Sequence, residues 1–238
     1  MVTLEGLRDD IFRGSQQAYQ CDRAINLYKS PACEGLVTQA DIGHHLHVLE
    51  VAEDQGAIRV RICKDDYPGW ISIEDVENIS VASESHEAPV LTAQEIQNKL
   101  PQVVAFANAA MSVPNEYLWG GTIAPNYDCS GLVQSAFMSA GVQLPRDSYQ
   151  QEDFTQRISK QELQSGDLIF FGTPERTTHV ALYVGDGKYI HSSGKDHGRN
   201  GIAVDSLDDL SHPVSKHYQN LLRCFGRVVS SYQPDGDC

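Results

Sequence analysis

Long apolar runs are missing from this sequence: nothing approaches the ~18 consecutive apolar residues of a membrane-spanning helix, so no segment reads as transmembrane. Positive charge is scarce. Lys and Arg total 18 against 32 Asp and Glu, and the net charge of −14 opposes phosphate backbones and anionic lipid. No nucleic-acid or membrane partner is expected. There is no Cys-x-x-Cys pair and no Cys/His spacing of a zinc site. The trio His44, His45 and His47 lacks an acidic or sulfur partner at site spacing, so neither a metal nor a cofactor is expected. Residues Met1 to Gln17 lack the continuous apolar stretch of a secretory signal, which gives the expectation of a cytoplasmic chain. On that expectation the six cysteines, although an even number, default to reduced thiols.

What is present suits a globular protein. At 238 residues and 41% hydrophobic content, the chain can bury one large core or two modest ones. Between Ala24 and about Ser80 the pattern is short strands, with Ile58 to Cys63 alternating apolar and charged residues at period two. This predicts a small all-β barrel over residues 1–80. Residues 81–93 have no period and read as a linker. After it the period becomes helical, first at Val103, Val104, Phe106, Ala107, Ala110 and Met111 with Pro101 in the first turn. A second helix carries Leu132, Val133, Ala136, Phe137 and Ala140 and stops at Gly141. Strands follow at Asp167–Phe171, His179–Val184, Lys188–His191 and Arg223–Val229. Helices followed by antiparallel strands make residues 94–232 an α+β domain, with a polar, frayed tail from Ser230.

One cysteine stands out by its place. Cys129 directly precedes the second helix, where unpaired N–H groups and the positive end of the helix dipole favour thiolate over thiol. His179 and His191 flank the hairpin signal Val184-Gly185-Asp186-Gly187. A pairing centred on Gly185 sets the two histidines opposite each other with Cβ atoms about 5 Å apart, so that one imidazole orients the other. A slip of one residue would turn them to opposite faces. A thiol, a base and a polar orienter form the generalised nucleophilic triad.

The motifs Tyr117-Leu118-Trp119-Gly120-Gly121, Asp128-Cys129-Ser130-Gly131-Leu132-Val133, Leu144-Pro145-Arg146, Gly166-Asp167-Leu168-Ile169-Phe170-Phe171, His179-Val180-Ala181-Leu182-Tyr183 and Tyr189-Ile190-His191 occur in this order. Over roughly residues 95–230 the chain resembles the NlpC family of bacterial cell-wall cysteine peptidases, and its first part resembles a bacterial SH3-like domain. The resemblance implies a papain-like peptidase domain behind an SH3-like barrel, similar to γ-D-glutamyl-L-diamino acid endopeptidases, cyanobacterial ones included. It further implies Cys129 as nucleophile, His179 as base and then acid, His191 as its orienter, and Tyr117 beside the Cys129 N–H as oxyanion donor.

The substrate implied is a murein peptide with a free L-Ala amine, met by Asp128, Ser130, Ser148 and Tyr67. The diamino acid stays open between meso-diaminopimelate and L-lysine. Asp128 could instead cap the helix, Tyr117 and Tyr67 could be packing or surface aromatics, and Arg146 could face a substrate carboxylate or Asp147. An amidase or acyltransferase on the same core, and a non-catalytic wall-binding protein, also stay open. The first domain either anchors to polymer or narrows the cleft to free peptides, as in murein recycling. No protein partner is legible.

Overall fold

The computed structural model describes residues 2–209 and 211–235. Two compact units divide the chain, Met1–Ala88 with Gln233–Cys238 in one and Pro89–Tyr232 in the other. The first unit opens with helix α1 (Leu4–Phe12) and continues as strands β1 (Tyr19–Cys21), β2 (Ile25–Tyr28), β3 (Leu36–Ala40), β4 (His45–Ala52), β5 (Ala57–Ile62), β6 (Pro68–Ser72) and β7 (Ile79–Val81). They form one antiparallel sheet in the order β3-β2-β6-β5-β4-β1-β7, an SH3-like, strand-rich unit. Ile58, Val60 and Ile62 of β5 point into the core with Leu7, Leu27, Leu46 and Ile71, while Arg59 is exposed, as period two requires. Strands β1, β3 and β7 are additional to those that the sequence pattern marks. Cys63, at the end of β5, is disulfide-bonded, which corrects the expectation of reduced thiols throughout.

In the second unit the order is α2 (Ala93–Ser112), β8 (Thr122–Ile123), β9 (Asn126–Tyr127), α3 (Cys129–Ser139), α4 (Ser148–Phe154), β10 (Gln156–Ile158), β11 (Leu168–Gly172), β12 (Thr177–Gly185), β13 (Lys188–Ser193), β14 (Gly201–Ser206), α5 (Pro213–Asn220) and β15 (Leu222–Arg227). Helix α2 begins eight residues before Pro101, not at it. Thr92 and Glu95 close a capping box there, and Pro101 sits inside the helix. The six-stranded sheet runs β10-β15-β11-β12-β13-β14. Strand β11 is buried at every position because both sheet faces are covered. Leu168 and Phe170 meet α2 and α3 through Val103, Leu132 and Phe137. Ile169 and Phe171 meet Val214 and Tyr218 of α5 on the opposite face. The start of the expected frayed tail is held: Ser231 is buried, its Oγ accepting the Gln143 N–H at 3.0 Å, and the Tyr232 N–H donates to Gln143 O at 2.9 Å. Residues 236–238 of that tail lie outside the described residues.

Candidate active site

Cys129 is the first residue of α3, and Asp128 is its N-cap, accepting the Gly131 N–H at 2.7 Å. The helix start is locked against the Gly120–Gly121 turn. The Gly120 N–H donates to Asp128 Oδ2 at 2.9 Å, and a Cβ on Gly131 would stand 2.0 Å from the Gly121 carbonyl oxygen, so that position excludes every side chain.

The histidines come from the hairpin β12–β13, whose register differs from the expected one. Tyr183 pairs with Tyr189 and Leu182 with Ile190, which centres the strands on Asp186 instead of Gly185. The cause is local. Asp186 and Gly187 both have positive φ (51° and 69°), the signature of a two-residue type I′ turn, and Gly185 adds an irregularity before it. His179 and His191 are therefore diagonal neighbours and not direct partners. A displacement of two residues preserves the face, so the rings still meet: His179 Nε2 lies 2.7 Å from His191 Nδ1, with the ring planes at 84°.

Two contacts on the same face were not foreseen. The His191 Nε2 lies 2.9 Å from Asp205 Oδ2 on β14, and the Tyr218 ring of α5 stacks on His179 at 4.4 Å. Among the described residues the His179 Nδ1 makes no hydrogen bond, which leaves it as the nitrogen able to take a thiol proton. Asp205 was missed because the stretch 201–206 was not read as a strand, so nothing placed it beside His191.

Burial dominates the electrostatics. It drives the His179 imidazole well below its usual range, and the neighbouring His191 adds to the shift. Burial also lowers His191, outweighing its hydrogen bond to Asp205, and both rings rest neutral. The Cys129 thiol is pushed up to about 12 by burial and then by Asp128, against the pull of the Val180 N–H, Arg146 and the Ser130 N–H. This runs against the expectation that the helix terminus favours thiolate over thiol. Exclusion from water outweighs a partial charge of about half a unit. Either charge alone is disfavoured by this burial.

Unfolding would release both histidines to titrate near 6.5. Their folded values lie lower, so their stabilising contribution is complete above about pH 6.5 and declines as the pH falls. Urea unfolding of the full chain is expected to lose up to about 1.4 kcal/mol per pH unit per histidine between about pH 6.5 and 5. The variant His191→Gln should flatten that slope, and an unchanged slope would contradict the assignment.

Tyr117 is half-buried and forms a lone bridge to Tyr127. Burial, and next the proximity of Cys129, keep its phenol protonated, the form that donates a hydrogen bond. The expected substrate residues divide. Asp128 and Ser130 are buried in an internal network: Arg146, only 1% exposed, donates through Nη2 to Asp128 Oδ2 at 2.6 Å and through Nη1 to Ser130 Oγ at 2.9 Å. Arg146 thus takes Asp128 as its charge partner, and Asp128 also caps the helix. Ser148 is the buried first residue of α4, and no hydrogen bond engages its hydroxyl among the described residues. Tyr67 belongs to the other unit, where its N–H donates to Asp65 Oδ1 at 3.2 Å. No group of three or more potential metal ligands occurs among the described residues.

Comparison with known proteins adds an independent line. The gamma-D-glutamyl-L-lysine dipeptidyl-peptidase of Bacillus subtilis (strain 168) is 29% identical over 160 residues, covering 66% of this chain and 51% of that protein. The bifunctional muramidase/DL-endopeptidase CwlT of the same organism is 38% identical over 116 residues, covering 47% of this chain and 32% of that protein. A crystal structure of an NlpC/P60 family protein from Bacillus cereus ATCC 10987 aligns with 93% of this chain and 66% of its own at 22% identity and a TM-score of 0.45. The chain spans about a third to a half of the length of the two curated relatives. The profile described as bacterial dipeptidyl-peptidase Sh3 domain matches residues 27–76, and that described as NlpC/P60 family matches residues 114–223, the stretch that carries the cysteine and both histidines. The chain accordingly carries an NlpC/P60 domain over residues 114–223, preceded by a bacterial dipeptidyl-peptidase Sh3 domain over residues 27–76.

Proposed function

We propose that this protein is a cysteine endopeptidase that cuts the bond between γ-D-glutamate and a diamino acid in short murein peptides carrying a free L-Ala amine. The observation that carries the reading is the buried His179–His191 pair at 2.7 Å, with His179 next to Val180, whose N–H meets the Cys129 thiol. Relatives named as gamma-D-glutamyl-L-lysine dipeptidyl-peptidase support the substrate class.

In this mechanism His179 Nδ1 takes the thiol proton as Cys129 Sγ bonds to the γ-carbonyl carbon. The oxyanion meets the Cys129 N–H and the Tyr117 hydroxyl, donors worth about 3 to 4 kcal/mol apiece in comparable sites. His179 then returns the proton to the departing amine of the diamino acid, leaving a thioester. Water, deprotonated by His179, cleaves that ester, and L-Ala-D-Glu leaves. Ser148, whose hydroxyl makes no hydrogen bond among the described residues, would meet the peptide. Asp128 and Ser130 would act on it through the network they share with Arg146.

The role we assign is recycling of soluble wall peptides in the cytoplasm, supported by a charge of −14 that disfavours an anionic polymer surface. Incubation with L-Ala-γ-D-Glu-meso-diaminopimelate, its L-lysine counterpart and their N-acetylated forms tests the proposal. Free diamino acid should appear from the unblocked peptides and fall by more than tenfold on acetylation. No release from any of the four removes the assignment, and equal release from the blocked forms removes the amine requirement.

A further inference from the structure

The hydrogen-bonded chain behind the thiol does not stop at His191. Strand β14 pairs with β13 so that Ala203 faces His191 and Asp205 lies two residues further on the same face. The Asp205 side chain is 1% exposed, and among the described residues its hydrogen bonds come from His191, Arg199 and Ser215. His191 Nε2 meets Oδ2 at 2.9 Å, and Arg199 grips both oxygens, with Nε at 3.2 Å from Oδ2 and Nη2 at 2.7 Å from Oδ1. Ser215 Oγ of α5 donates to Oδ1 at 3.2 Å. His212 Nδ1 stands 3.7 Å from Oδ1, and Tyr189 and Tyr218 pack on the His191 ring.

We propose that Asp205, clamped by Arg199, is a positioning residue that sets the tautomer of both histidines and thereby decides whether His179 can act as a base. This rests on the reading of Cys129, His179 and His191 as the hydrolytic set. An ionised carboxylate only accepts hydrogen bonds, so His191 must carry its single proton on Nε2 and present a bare Nδ1. That Nδ1 accepts, so His179 must in turn carry its proton on Nε2, which leaves a lone pair on Nδ1 for the thiol proton. Without the carboxylate the opposite chain is equally well bonded: His191 Nδ1–H donating to His179 Nε2, and His179 protonated on Nδ1. A ring in that form accepts nothing from sulfur. Burial opposes the Asp205 charge, but the hydrogen bonds from His191 and Arg199 prevail and hold the carboxyl at about 2, so it remains an acceptor throughout the working pH range.

The primary test uses the unaltered full chain labelled with ¹⁵N-histidine. Long-range ¹H–¹⁵N correlation at neutral pH should give protonated Nε2 and bare Nδ1 in both rings, assigned by the signals that vanish in His179→Gln and His191→Gln. A proton on Nδ1 of either ring overturns the proposal. The second arm is Asp205→Asn, expected to lower kcat on the unblocked tripeptide about 10³-fold with KM within threefold, and to slow alkylation of Cys129 by iodoacetamide at neutral pH. An Asn variant that keeps both wild-type tautomers, or whose loss lies in KM, also overturns it. Should Asp205→Asn fail to fold, the tautomers of the unaltered chain still decide. Should no murein peptide be hydrolysed, the tautomer and alkylation readings stand apart from that failure.

Discussion

Exchange of Cys129 for Ala is expected to lower diamino acid release by about 10⁵-fold or more, and His179→Asn to cost nearly as much. The two side chains act as one unit, because the sulfur attacks only as its proton leaves. The double variant should therefore be no slower than either single one, and multiplicative losses would show two independent contributions. Folding should be spared in Cys129→Ala. The removed thiol is nearly buried and carries no charge at rest, so its loss is confined to a small volume beside the Val180 N–H. In His179→Asn the thiol keeps its elevated position near 12 with no partner to receive the proton. Alkylation of Cys129 by iodoacetamide at neutral pH is then expected to fall at least about 100-fold and to recover as the pH rises, the sign required when only the thiolate reacts. An undiminished rate would mean that His179 does not serve this sulfur.

Arg146→Ala is expected to have the largest effect on stability, about 3 to 5 kcal/mol. Its guanidinium is 1% exposed and holds both oxygens of Asp128, at 3.1 and 2.6 Å, together with Ser130 Oγ. Removing it leaves a carboxylate buried without its cation. The same carboxylate caps α3 through Gly131 and ties the Gly120–Gly121 turn, so the helix start that carries Cys129 loosens with it. A thermal midpoint lower by roughly 10 °C for the transition of residues 89–232 is the readout. Asp128→Asn in the Arg146→Ala background should recover part of the loss, since it removes the stranded charge. A fall below 1 kcal/mol, or no recovery, would mean that the pair contributes little.

The pair Arg146–Asp128 also illustrates what sequence reading cannot reach. Eighteen positions separate the two residues, and Asp147 is the nearer candidate along the chain. Only the packing of α3 against the loop before α4 decides between them. Asp205 is a similar case. With β14 unrecognised, nothing linked it to His191, although the short apolar, β-branched run Ile202-Ala203-Val204 is a strand signal once β13 is known. The Thr92-x-x-Glu95 capping box was legible and would have moved the start of α2 forward.

By itself the sequence determined that a strand-rich part precedes an α+β part, the helix start at Cys129 and the shared face of the two histidines. These follow from period, punctuation and parity, which act over a few residues along the chain. The direct facing of His179 and His191 did not follow, because the Asp186–Gly187 turn shifts the strands by a step that parity does not register. Tertiary structure alone decided which carboxylate meets which cation, which imidazole nitrogen is left bare and whether the sulfur rests as thiol. Each of these depends on burial and on partners brought in from distant strands and helices, and those quantities exist only once the chain has closed on itself.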